Sequence, residues 1–225
     1  MHYIVLNRKD NTFDTDFLNE FMAVLDEIES TAGAGILCTI GTGEKHFSTG
    51  FDLDFWCVKY ENMQVSATLF FKLMARLLMF PMPTLCICNG STLAGGFLLA
   101  MCSDTRIMHE KRGNVALTEL KLGIPLPLPM LLVCKAKLSS PNVCIRLFMG
   151  NTFTSEKALR DGLIDSTYSS MLDLDNQIQT YCAKNAAVGA NRIAIKMNRQ
   201  SHFSSLIETC LTFENSPEER KFRQK

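Results

Sequence analysis

The chain has 225 residues, of which 47% are hydrophobic and 20% charged, with 23 basic and 23 acidic side chains. That size and composition fit one compact domain with a substantial core. A formal net charge of zero offers no handle for nucleic acid or an anionic membrane surface, and no apolar run reaches the roughly 18 residues that a membrane span needs. The nine cysteines lack paired zinc spacing, so no metal site is expected. They read as reduced, buried thiols of an intracellular protein.

Met1 to Leu6 opens as a strand rather than a signal or transit segment, with Ile4 to Asn7 as its apolar part. Asn11-Thr12 and Asp14-Thr15 form a loop and N-cap. Phe17, Phe21, Val24, Leu25 and Ile28 then recur at helical spacing, with Asp16, Glu20, Asp26 and Glu29 on the other face. After the loop Thr31–Gly35, Ile36 to Ile40 is a second short apolar strand. This strand–helix–strand order argues for an α/β fold with a parallel component. Gly41 to Phe47 is a polar loop, and Phe47 to Leu53 by itself reads as a turn between strand and helix. Leu69, Phe70, Leu73, Met74, Leu77 and Leu78 make a helical stripe, assigned to the core with some members available to line a tunnel.

The most informative stretch is Pro81 to Gly123. Thr84 to Cys88 follows Pro83 and has strand length. Asn89-Gly90 signals a turn. Gly95-Gly96 then leads into the apolar run Phe97 to Met101, which has the composition of a buried helix. Adjacent glycines at a helix start allow a ligand close to bare backbone. They also present unpaired N–H groups at the positive end of the helix, a place for negative charge developing on oxygen. Asp104 to Met108 is another strand. Glu119 lies between Leu117 and Leu120, four residues before Gly123, and is a candidate acid/base group. The bland alternatives are a tight packing point at the glycines and an exposed glutamate.

Beyond Gly123, prolines at alternate positions are expected to block a regular helix until Met130. Ser140-Pro141 opens a helix to about Met149, closed by Gly150. Thr154 to Ala158 starts another, ending near Gly162. From Leu172 the chain reads as helical, and Pro217 to Lys225 as a charged, fraying tail. The C-terminal Arg-Gln-Lys is not a Ser-Lys-Leu-type peroxisomal address.

Several motifs occur in a fixed order: Phe47-Ser48-Thr49-Gly50-Phe51-Asp52-Leu53, Pro-Met-Pro before the strand, Asn-Gly at its end, Ala94-Gly95-Gly96, Asp104, and Thr118-Glu119-Leu-Lys-Leu-Gly-Ile. With Gly162-Leu163-Ile164-Asp165, this set resembles the crotonase superfamily (enoyl-CoA hydratase/isomerase), and within it the plant-type peroxisomal Δ3,Δ2-enoyl-CoA isomerases. The resemblance covers about Ile4 to Ser166. It implies a crotonase-like ββα spiral of the α/β class with a helical C-terminal part. Residues 1–165 would be the core with its acyl-CoA site, and 166–225 a helical segment for packing into a homotrimer or hexamer.

The resemblance further implies that the backbone N–H groups of Phe51 and Gly95 hold the thioester oxygen. Ser48, Gly50, Asp52, Leu53, Gly96 and Leu98 would surround the substrate. Hydratases of the superfamily carry two glutamates, one matching Leu98 here and one matching Glu119. Leucine cannot position water, so Glu119 alone remains, and a single carboxylate suits a proton shift from C2 to C4. Leu98 is expected to face the reacting carbons and exclude water. The implied activity is the shift of a double bond in an unsaturated acyl-CoA during beta-oxidation, in the peroxisome or mitochondrial matrix, with coenzyme A arriving as part of the substrate and no other cofactor. A catalytically idle subunit of a larger assembly and another acyl-CoA reaction stay open.

Overall fold

The computed structural model describes residues 1–215, so the tail from Pro217 to Lys225 lies outside the described residues. The chain winds as a repeated strand–strand–helix unit. The first turn is β1 (His2–Leu6), β2 (Thr12–Phe13) and α1 (Thr15–Ser30). The second is β3 (Leu37–Gly41), β4 (His46–Ser48), β5 (Gly50–Phe51), α2 (Leu53–Val58) and α3 (Tyr60–Leu78). The third is β6 (Thr84–Cys88), β7 (Ser91–Leu93) and α4 (Gly95–Met101). The fourth is β8 (Thr105–His109), β9 (Asn114–Ala116), a 3-10 turn at Glu119–Leu122 and α5 (Leu128–Lys137). There follow α6 (Pro141–Phe148), β10 (Phe153–Thr154), α7 (Ser155–Arg160), β11 (Ser166–Tyr168), α8 (Met171–Gly189), α9 (Arg192–His202) and α10 (Ser204–Thr212).

The main sheet has the order β1-β3-β6-β8-β11, and all its neighbours are parallel. Both of its faces are covered, which explains why β6 reads as an unbroken apolar run. Side chains alternate between faces. Leu37, Cys86, Cys88 and Met108 enter the large core, while Cys38, Leu85, Ile87 and Ile107 join Tyr168 and Leu174 in a smaller cluster on the other face. A second sheet, β10-β9-β7-β4, collects the short strands. In α1, Asp14 caps the helix by accepting from the Phe17 N–H at 2.7 Å, and Phe17, Phe21, Leu25 and Ile28 are buried as their spacing demands.

Two expectations need correction. The proline-rich run does not delay the helix to Met130. α5 starts at Leu128 with Pro129 in its first turn, where a missing N–H costs no hydrogen bond. The region read as turn and loop also contains strands β4, β5, β7, β9 and β10, each of two or three residues, too short to show alternation. β11 lies past residue 165 yet pairs with β8 in the main sheet. At the end of the described chain, α10 packs on α3 and α5 and buries Leu206, Ile207 and Cys210. Among the described residues no helix is long and apolar enough to cross a membrane.

Candidate active site

The two glycine-containing blocks, 45 residues apart in sequence, meet backbone to backbone. A Cβ placed on Gly50 would sit 2.6 Å from the Gly95 nitrogen, and one on Gly96 would sit 2.5 Å from the Ser48 carbonyl oxygen. Only glycine allows this approach, and Gly50 also has φ +86°. Ser48 is fully buried and fixes the turn. Its hydroxyl donates to the Asn11 carbonyl at 2.7 Å and accepts from the Gly50 N–H at 3.1 Å. The Asp52 N–H donates to Phe13, so strand alternation turns the Phe51 N–H to the opposite edge. Gly95 opens α4, where an N–H has no acceptor within the helix. Ala94 precedes it at φ 49° and ψ −128°, a strained conformation for a residue with a Cβ. The Ala94 N–H donates to the Ala116 carbonyl at 2.8 Å, which ties this turn to the strand leading to Glu119.

Glu119 heads the 3-10 turn, and its backbone carbonyl accepts from the Ile124 N–H at 2.9 Å. Gly123 closes the turn at φ 70°. The Glu119 side chain is buried, and its Oε2 has no hydrogen-bond partner among the described residues. Burial holds its carboxyl above the ordinary glutamate range, partly offset by the backbone N–H groups of Glu119 and Thr118.

Glu119 lines a cavity of about 100 Å³ whose wall is mostly apolar, with Thr49, Tyr60, Gln64 and Thr118 as its other polar members. Phe51, Leu53, Trp56, Met63, Ala94 and Met130 are among its walls. A buried carboxylate in such a wall is suited to acid/base work.

The family model for enoyl-CoA hydratase/isomerase matches residues 1–217. The chain belongs to the enoyl-CoA hydratase/isomerase family. Among curated relatives, it is similar to enoyl-CoA delta isomerase 3 of Arabidopsis thaliana, 30% identical over 70% of this chain and 68% of the relative. It is also similar to a short-chain-enoyl-CoA hydratase of Clostridium acetobutylicum, 25% identical over 94% and 82%. A probable enoyl-CoA hydratase from Mycobacterium tuberculosis superposes with a TM-score of 0.84 at 22% identity, over 98% of this chain and 91% of that one. The crotonase-like α/β fold expected from the motifs is therefore the fold of this family member.

Of the expected site residues, Phe51, Leu53 and Glu119 line the cavity. Gly50, Gly95, Gly96 and Ser48 form the packed backbone junction beside Phe51. Asp52 caps α2, accepting from the Phe55 N–H at 3.0 Å. Leu98, expected to face the reacting carbons, is fully buried in the large core and is not part of the cavity wall. Ala94, in the turn before α4, does line the cavity.

Sequence reasoning missed Trp56, Tyr60, Met63, Gln64, Ala67, Pro125 and Phe213, which also line the cavity. The stripe from Leu69 to Leu78 belongs to the core. The wall uses the preceding turns of the same helix, where Tyr60, Met63, Gln64 and Ala67 stand at i, i+3, i+4 and i+7. That periodicity was available as a signal. Phe213 has no local signal, since only folding back of α10 brings it there.

Proposed function

We propose that this family member is an enoyl-CoA delta isomerase, moving the double bond of an unsaturated fatty acyl-CoA between C3 and C2 in beta-oxidation. The observation carrying this reading is that Glu119 is the only carboxylate in the cavity wall among the described residues. Hydration needs one group to hold water and a second to move a proton. Among the described residues no second carboxylate stands in the cavity wall to complete such a pair.

In the proposed reaction the Phe51 and Gly95 N–H groups donate to the thioester oxygen. Glu119 takes the proton from C2, the electron pair spreads over a dienolate, and the charge on oxygen strengthens both donor contacts. The protonated Glu119 then returns the proton at C4, leaving the double bond between C2 and C3. The apolar wall limits water at the reacting carbons and raises the basicity of the carboxylate. Coenzyme A comes with the substrate, and the reaction asks for no metal or redox group. Relatives described as peroxisomal isomerases support the peroxisome over the mitochondrial matrix. A homotrimer or hexamer completes the reading.

The test is a parallel assay with a 3-enoyl-CoA and a 2-enoyl-CoA. Double-bond transfer without hydration is expected. Hydration at a comparable rate, or no turnover of either compound, overturns the proposal.

A further inference from the structure

The cavity is small for the site of a fatty chain. Its volume is about 100 Å³. A dry apolar cavity of about 150 Å³ takes one benzene, six carbons, so this one has room for about four on the same scale. One side of the wall is an open rim, where Leu53 and Leu122 are 44% and 56% exposed. The other side is a floor of buried residues, Phe51, Glu119, Met130 and Phe213. Behind the floor stand packed rings. The Phe51 centroid is 5.1 Å from that of Phe70 and 6.1 Å from that of Phe13, and Phe213 lies 4.6 Å from Phe71. Phe13, Phe70 and Phe71 are wholly buried, and an interior packed in this way yields to extra carbons only by straining.

In the acyl-CoA reading, C2 and C4 must both reach Glu119, which belongs to the floor. The carbons from C1 to C4 then use the available volume. A chain that continues past them has to displace packed rings or turn back across the rim into water, and neither course gains burial. We infer that the preferred substrate is a short-chain acyl-CoA, with an acyl group of about four to six carbons, and that Met130 and Phe213 set this limit from the floor. The inference rests on the acyl-CoA reading and deepens it by naming the substrate class.

The test uses the full chain and saturated ligands, which cannot react. Calorimetric titration compares butanoyl-, hexanoyl-, octanoyl-, decanoyl- and dodecanoyl-CoA. A chain buried along its whole length would gain about four-fold in affinity per added carbon. Here the gain is expected to stop at about hexanoyl-CoA, with affinity level or falling beyond it. A climb that continues through decanoyl-CoA overturns the inference, and this comparison needs no variant. Met130→Ala and Phe213→Ala each remove bulk from the floor. At least one is expected to extend the gain to octanoyl-CoA, tightening it by about 10-fold relative to hexanoyl-CoA. If both variants melt cooperatively and the gain still stops at hexanoyl-CoA, the floor does not set the limit and the inference fails. Absence of binding by every acyl-CoA would instead overturn the acyl-CoA reading beneath it.

Discussion

At Glu119 stability and the proposed role pull in opposite directions. Burial disfavours the charged carboxylate and makes it a stronger base. Glu119→Gln keeps the shape and removes the proton carrier, so turnover is expected to fall at least about 100-fold, with acyl-CoA binding retained by titration. Its pH behaviour has a definite sign. The folded pKa is raised, so the folded state holds its proton more tightly than the unfolded chain does. That contribution to stability is complete below the ordinary glutamate pKa of about 4.3 and is lost as pH rises through the folded value. Denaturant melts of wild type and Glu119→Gln should therefore shift in favour of the variant as pH rises. An unchanged difference would contradict the buried carboxyl. Activity should have an acid limb displaced upward from that of an ordinary glutamate. Ala94 is also under tension, at φ 49°. Ala94→Gly should relieve more strain than it adds in unfolded-state entropy, a gain of about 1 kcal/mol, read as a Tm rise of about 2 °C.

At the scale of elements, the site depends on how closely α4 lies against β4 and β5. Gly96→Ala would drive a methyl into the Ser48 carbonyl at 2.5 Å and push the helix off the strand. A loss of about 3 kcal/mol or more is expected, with turnover falling further because the proposed Gly95 donor would move with the helix. Gly123→Ala is the control. It meets nothing within 4 Å but has φ +70°, so it should cost only about 1 kcal/mol of backbone strain. Equal melting losses in the two variants would contradict the packing account. The regular elements were legible because their signals are long. α1 has a cap and a full apolar face, and β6 stands between Pro83 and a turn. The second-sheet strands were not, because two or three residues cannot display a period of two.

At the scale of the molecule, the cavity closes only when distant turns of the spiral come together with α10. Phe213 is buried, its ring centroid is 4.6 Å from that of Phe71, and it lines the same cavity as Phe51. Phe213→Ala should cost about 3 kcal/mol by leaving a void and should raise KM for the enoyl-CoA more than it lowers kcat, since Glu119 keeps its own turn. A fall in kcat with unchanged KM would give Phe213 a different role.

Legible along the chain are the α/β class, the family and the short-range chemistry: which glycines stand before α4, that Glu119 has apolar neighbours, and that position 98 lacks a carboxylate. These are properties of neighbouring residues, and local sterics and hydrogen bonding act on them directly. The packing of the fold sets that Gly50 meets the Gly95 backbone, and that Ala94, Trp56 and Phe213 share a space with Glu119. Those contacts join segments tens to more than a hundred residues apart. They are set by how the close-packed layers fit, and no local pattern in the chain encodes that fit.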